Sequence, residues 1–166
     1  MDINEFKKCV NELDENKLEL LRKEILMFKD IIILGNGGSN AISSHIAEDY
    51  TKMLNKRALS FSDSARMSCY ANDYGWEDSY YMFLKQFARE TTLIILISSS
   101  GNSGNILKCA SYCSEEKIPM ITMSGFSMDN KLKNQYEDNS ILHFWVDSTD
   151  YGIVETLHEL ILHSVI

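Results

Sequence analysis

The sequence predicts an α/β protein, a three-layer α/β/α sandwich built on a mainly parallel sheet. Three observations carry this reading. Short apolar runs at Ile31–Leu34 and Leu93–Ile97 end in polar, glycine-bearing loops, and each loop leads into helical periodicity. The order strand, loop, helix then recurs along the chain, which implies crossover connections and hence parallel strands. No linker, repeat or low-complexity tract interrupts it, so residues 1–166 read as one domain, with an N-terminal helix over 1–28 and an α/β core over 30–166.

The elements follow in order. Phe6, Val10, Leu13, Leu18, Leu21, Ile25 and Met27 stand three and four apart among lysines and glutamates, the pattern of one amphipathic helix over residues 3–28. Ile31–Leu34 is the first strand, and a helix over 40–55 carries Ile42, Ile46, Tyr50 and Leu54 on one face. Ala58–Phe61 reads as a strand, Ala65–Ala71 as a short helix and Glu77–Arg89 as a longer, aromatic-rich one. After the strand Leu93–Ile97, a helix starts near Gly104 or Asn105 with Ile106, Leu107, Ala110 and Cys113 inward. Ile118–Met123 is a strand entered through the only proline, Pro119, and Ser124-Gly125 opens a short helical stretch. The strand Ile141–Val146 and a helix from Gly152 to the end complete the chain.

Composition narrows the function. With 166 residues, 45% of them hydrophobic, the chain can bury roughly 70% of its unfolded surface and needs neither metal nor disulfides merely to hold a fold. The net charge is −8 and no Lys/Arg-rich run occurs, which argues against a nucleic-acid surface and requires any anionic ligand to be held locally. The apolar runs fall well short of the roughly 20 residues of a membrane helix, and the acidic start is no signal peptide, so a cytoplasmic location without membrane attachment is expected. Cys9, Cys69, Cys109 and Cys113 lack CxxC spacing. Cys109 and Cys113, one turn apart on an apolar face, read as small buried residues rather than a soft-metal pair.

Two loops have the chemistry of anion binding. Ligands of open parallel sheets sit beyond the carboxyl ends of strands, where loops lead into helix N-termini. Gly35, Gly37 and Gly38 allow close backbone approach there, but the spacing is neither a Walker motif nor GxGxxG, so nucleotide cofactors are poorly supported. Ser98, Ser99, Ser100 and Ser103 surround Gly101 just before a helix, a set of neutral donors suited to a phosphate; a serine-rich turn and cap is the plainer reading. His45 and Asp49 share a helix face and could hold a divalent metal or share a proton, or simply be solvated. Glu48, Glu155, His158, Glu159 and His163 add candidates; the last helix is otherwise apolar, so a core or interface histidine is the alternative for His158 or His163.

Taken in order and spacing, Gly35-Asn36-Gly37-Gly38-Ser39, His45-Ile46-Ala47-Glu48-Asp49, Ala71-Asn72-Asp73-Tyr74-Gly75 and Ser98-Ser99-Ser100-Gly101-Asn102-Ser103 resemble the SIS (sugar isomerase) domain, and within it the phosphoheptose isomerase family. The resemblance covers residues 30–163. It implies a Rossmann-like core and an isomerase that converts sedoheptulose 7-phosphate to D-glycero-D-manno-heptose 7-phosphate for heptose-containing surface polysaccharides, by a metal-assisted enediol route with zinc as the expected ion. By the same resemblance Asn36, Gly37, Gly38 and Ser39 meet the substrate, Asn72 and Asp73 supply a second contact, and Ser98, Ser99, Ser100 and Ser103 bind phosphate. His45, Asp49, Glu155 and His163 fall on metal positions; Asp49 and His163 are also the expected base and acid, and Asp49 and Glu155 further substrate contacts.

Two residues depart from the family pattern: Asp49 stands in place of a glutamate, and Glu155 in place of a glutamine. The resemblance also implies a homotetramer with active sites at subunit interfaces. Glu155 and His163 are eight residues apart, about 12 Å along one helix, so one helix cannot offer both to one ion. Either different subunits contribute them or one is a bystander. Two alternatives stand beside this reading: a different sugar phosphate, and a non-catalytic binding or scaffold role of the kind some relatives of this fold have.

Overall fold

The apolar runs form strands that are buried on both faces, which is why they read as continuous rather than alternating. In the computed structural model, which describes residues 1–166, β1 (Asp30–Gly35), β2 (Arg57–Ser60), β3 (Thr92–Ser98), β4 (Met120–Ser124) and β5 (Leu142–Trp145) make one parallel sheet in the order β2-β1-β3-β4-β5. The helices are α1 (Ile3–Asn11), α2 (Glu15–Met27), α3 (Gly37–Leu54), α4 (Ser64–Tyr74), α5 (Trp76–Phe87), α6 (Gly104–Glu115), α7 (Lys131–Tyr136) and α8 (Tyr151–His163).

Alternate strand residues feed two cores. Ile31, Ile33, Ile95 and Ile97 pack with Leu21 and Ile25 of α2, Ile46 and Tyr50 of α3, and Ile161 and Leu162 of α8. Ile32, Leu34, Ile94 and Leu96 face the other way, onto Tyr80, Phe83 and Leu84 of α5 and onto α6. Cys109 and Cys113 lie fully buried in that second core, and burial pushes the Cys113 thiol up to about 12, as expected of small apolar-face residues. A smaller cluster joins Cys9 of α1 to Ile153, Val154 and Leu157 of α8.

The N-terminal segment is two helices rather than one. Asp14 ends the run, because its Oδ1 accepts from the N–H groups of Asn16 and Lys17 and starts α2 as a cap. Apolar periodicity continues through the break because Leu13 still packs on the core. The helix after β1 begins at Gly37, earlier than the apolar periodicity indicates, since its first turn is glycine and serine facing a cavity. The helix expected from Ser124-Gly125 starts only at Lys131, where the Asn130 side chain caps it.

The strand order reverses between β1 and β3. The loop after β1 leads into α3 on one face and the loop after β3 into α6 on the other, which opens a crevice between them at their carboxyl ends. At the far end of α3, the buried Tyr50 hydroxyl donates to the Leu162 carbonyl at 2.8 Å and holds the end of α8 against α3. Tyr50→Phe leaves that terminal helix carbonyl without its partner; the expected cost is about 1 kcal/mol, or a Tm lower by about 2–4 °C. A melt unchanged from the parent would contradict that role.

Candidate functional site

The crevice holds a cavity of about 270 Å³ lined by Asn36, Gly37, Gly38 and Ser39 from the start of α3, by Ile97 to Ser100 and Ser103 from the end of β3 and its loop, and by Tyr151 and Glu155 of α8. Two helix starts converge on it, and neither has a side-chain cap. The reason lies in what the two cap residues bond instead. Asn36, at the cap position of α3, spends its amide on Asn105: each side chain donates to the other at 2.9 Å, a reciprocal pair joining the two loops. Ser103, at the cap position of α6, accepts from the Ser98 hydroxyl at 3.1 Å. Ile106 N–H donates to Asn105 Oδ1 at 3.0 Å, and the other first-turn N–H groups are left for a ligand, with the positive ends of two helix dipoles behind them.

Further contacts fix this geometry. The Ser39 and Ser99 hydroxyls lie 3.5 Å apart across the crevice, and the Tyr80 hydroxyl donates to Gly35 O at 3.0 Å. A Cβ on Gly35 would stand 2.6 Å from the Ser39 Cβ, so α3 can turn this tightly out of β1 only over a glycine. Asn105, 3% exposed, is a site residue that sequence reasoning missed; its only signal was an amide in the first turn of a helix. Ile97 and Tyr151 are also lining residues not singled out beforehand.

Glu155 is the only carboxylate on the cavity wall. It lies against Gly38, where a Cβ would collide with its carboxyl group, and burial pushes its pKa above the usual carboxylate range. Asn72 and Asp73 are not brought to the cavity. They sit exposed on α4, with Asn72 Nδ2 donating to Asp73 Oδ1 at 2.9 Å and Cys69 Sγ beside Asp73 Oδ2 at 3.6 Å.

A second constellation stands about three helical turns away. His45 and Asp49 of α3 meet His163 of α8, with all three donor atoms within 4.8 Å of one another. Asp49 Oδ2 is 3.1 Å from His163 Nε2 and 3.4 Å from His45 Nε2; donors of a tetrahedral zinc-type site lie about 3.3 Å apart. His163 Nδ1 is 3.1 Å from Glu159 O, an atom that can only accept, so Nδ1 carries a proton and Nε2 points at a carboxylate oxygen; without a second proton on the ring it would face that oxygen with a lone pair. Two lone pairs facing at that distance call for a proton or a cation between them. The donor set and the backbone bond that orients the histidine both fit a divalent metal. Glu155, expected among the ligands, is absent from this cluster: its place two turns before His163 puts it on the cavity instead.

The buried His158 is a core histidine, with Nε2 bonded to Ser124 O at 3.1 Å. No helix is long and apolar enough to cross a membrane.

No family model matches the chain. A phosphoheptose isomerase of Fusobacterium nucleatum is 31% identical over 171 residues, which cover 97% of this chain and 86% of that protein. The match to a phosphoheptose isomerase of Proteus mirabilis is also 31% identical and shorter, covering 68% of this chain and 65% of that protein, just under two thirds of its length. The solved structure of a phosphoheptose isomerase from Neisseria gonorrhoeae superposes with a TM-score of 0.85 over 98% of this chain and 89% of that one, at 22% identity, which establishes the shared fold. Nearly one residue in three agrees along almost the whole chain, and agreement that continuous goes beyond a common architecture: the chain belongs to the phosphoheptose isomerase family.

Proposed function

We propose that the protein interconverts sedoheptulose 7-phosphate and D-glycero-D-manno-heptose 7-phosphate, supplying a heptose for surface polysaccharide. The observation that carries this is the pair of uncapped helix starts ringed by serine hydroxyls, a phosphate site without a single cation on its wall. A protein of net charge −8 can hold a sugar phosphate there through directed donors rather than bulk attraction. Ser98, Ser99, Ser100 and Ser103 take the phosphate in this reading, and Asn36 to Ser39 take the sugar, with Glu155 beside them; Asn72 and Asp73 would reach substrate only across a subunit boundary.

The chemistry belongs to Asp49 and His163. Both histidines engage Asp49 Oδ2, which leaves Oδ1 free to take the proton from C1 of the ketose. The C–H pair becomes the C1–C2 double bond and the carbonyl pair moves onto O2; the hydroxyl proton then passes from O1 to O2, the O1 pair so freed forms the new C1 carbonyl, and the C1–C2 double-bond pair takes the proton back from Asp49 at C2. His163 attends the oxygens through its one free nitrogen, Nε2, which either passes them a proton or helps hold a cation. It cannot do both in the same complex. A divalent ion held by His45, Asp49 and His163, zinc by the donor chemistry, would supply charge stabilisation for oxyanions.

The triad and the cavity of one chain are too far apart to share a substrate: Ser39 to Asp49 spans about 15 Å along α3, and Glu155 to His163 about 12 Å along α8. The complete site therefore joins the triad of one copy to the cavity of another, in a homotetramer. Exposed Met53 and Leu160, beside the triad on α3 and α8, supply apolar surface for that contact. Four unpaired cysteines accord with a cytoplasmic setting.

Proton NMR with sedoheptulose 7-phosphate in deuterated water tests the whole reading. Aldose product and deuterium at the carbon beside the carbonyl are expected, both lost on treatment with EDTA. Silence from metal-loaded protein would overturn sedoheptulose 7-phosphate as the substrate, and a monomer in sedimentation at micromolar concentration would overturn the shared site.

A further inference from the structure

The loop after β3 presents hydroxyl and N–H donors, and its carbonyls have to be occupied elsewhere, because a carbonyl facing an anion repels it. The segment after β4 does this. Gly125 N–H donates to Ser99 O at 3.0 Å and Leu132 N–H to Gly101 O at 2.9 Å, while Lys131 N–H donates to the Asn102 side-chain oxygen at 3.2 Å. Three acceptors of the serine loop are consumed by residues that do not line the cavity.

Asn130 is the centre of that clamp and is 1% exposed. Its Nδ2 donates to Ser127 O at 2.8 Å and to Ser124 Oγ at 3.2 Å, and its Oδ1 accepts from Lys133 N–H at 2.9 Å. The same side chain fills the space over Gly101, where a Cβ would fall inside it, and Gly101 holds the left-handed φ of +64° that closes the loop. Ser124 Oγ also meets His143 Nε2 at 3.1 Å, and His143 Nδ1 meets Thr122 Oγ1 at 2.7 Å, so Asn130 ties the loop to the ends of β4 and β5. Resting on the phosphate reading above, we propose that Asn130 is a positioning residue: it touches no substrate, and by filling the space over Gly101 it holds the Ser98–Ser103 loop in the shape that offers donors to a phosphate.

The probe is inorganic phosphate titrated into the full chain, read by calorimetry, alongside steady-state kinetics with sedoheptulose 7-phosphate. Asn130→Ala should weaken phosphate binding about tenfold and raise KM by the same factor, with kcat within about threefold and bound metal unchanged. Gly101→Ala pushes a methyl into Asn130, and the Asn130→Ala background removes the two nearest clashes, with Oδ1 and Cγ, leaving only the one with the Cβ at 2.7 Å. The second substitution should therefore cost less phosphate affinity there than in the parent, a coupling that general damage would not produce. Ser124→Ala trims one acceptor of Asn130 with little risk to the fold and should give a smaller loss in the same direction, which keeps the test available if Asn130→Ala does not fold. Phosphate binding within about twofold of the parent for Asn130→Ala and Ser124→Ala overturns the inference, as does equal loss of kcat, KM and metal, or strict additivity with Gly101→Ala. A parent protein that binds no phosphate overturns the reading of the cavity and this inference together.

Discussion

Asp49→Asn should leave a folded protein that has lost its metal and at least about a thousandfold of its turnover. The carboxylate is central to the cluster: Oδ2 stands within reach of both His45 Nε2 and His163 Nε2, and Oδ1 is the one oxygen there free to move a carbon-bound proton. An amide keeps the shape but has neither the charge to hold a divalent ion nor the basicity to take a proton. His163→Ala should lose metal similarly, because the remaining His45 and Asp49 offer only one side of a site. With metal removed from both proteins stability should change little, since His45 is half exposed and solvent screens its contact with Asp49. Metal content by mass spectrometry, deuterium incorporation by NMR and a thermal melt separate these effects. An Asp49→Asn protein with stoichiometric metal and turnover within about tenfold of the parent would refute the assignment.

Acid should unfold this protein well before its carboxylates are neutralised. His143 of β5 and His158 of α8 are buried against β4, and burial lowers both to about 4, from an ordinary value of about 6.5. His143 is surrounded by Thr122 and Ser124 hydroxyls, with Glu137 opposing the shift and Lys17, Lys133 and His158 adding to it. His158 has only the Ser124 carbonyl as partner. The unfolded chain binds protons on these rings below about pH 6.5, while the folded chain resists until about pH 4. Stability is therefore fully present above the unfolded value, falls as pH drops between the two, and levels off below the lower one.

For two such groups the slope approaches about 3 kcal/mol per pH unit, and the loss reaches roughly 7 kcal/mol, comparable to the whole stability of many domains. Urea midpoints at pH 7 and pH 5 check this. His158→Gln should remove about half of the pH slope whatever it does to stability at pH 7. Equal midpoints at the two pH values would refute it.

The same buried polar ladder explains what was hard to read in advance. His143, Ser124 and Asn130 lie on different elements, and nothing in the local pattern of any one of them shows that a loop is being shaped. The Asn36–Asn105 pair joins residues 69 apart in the chain, and each amide alone looks like an ordinary helix-start residue. The break at Asp14 was concealed because apolar periodicity reports which face is buried and says nothing about whether the backbone turns between two buried faces.

What the sequence determined by itself was the strand, loop and helix alternation, the two faces of the core and the kinds of chemistry available. Those are local properties: a strand covered on both sides must be apolar throughout, and a phosphate loop without cations must carry hydroxyls and glycine. It also determined that Glu155 and His163 cannot meet one ion from one helix, which follows from helical rise alone. Only the tertiary structure decided which of those groups converge. It placed Glu155 with the serine loop and His163 with His45 and Asp49, left Asn72 and Asp73 out on α4, and set the cavity where β1 and β3 part. The physical reason is that a side chain's partners are set by how α3 and α8 cross over the sheet, and that crossing is fixed by packing summed over the whole core.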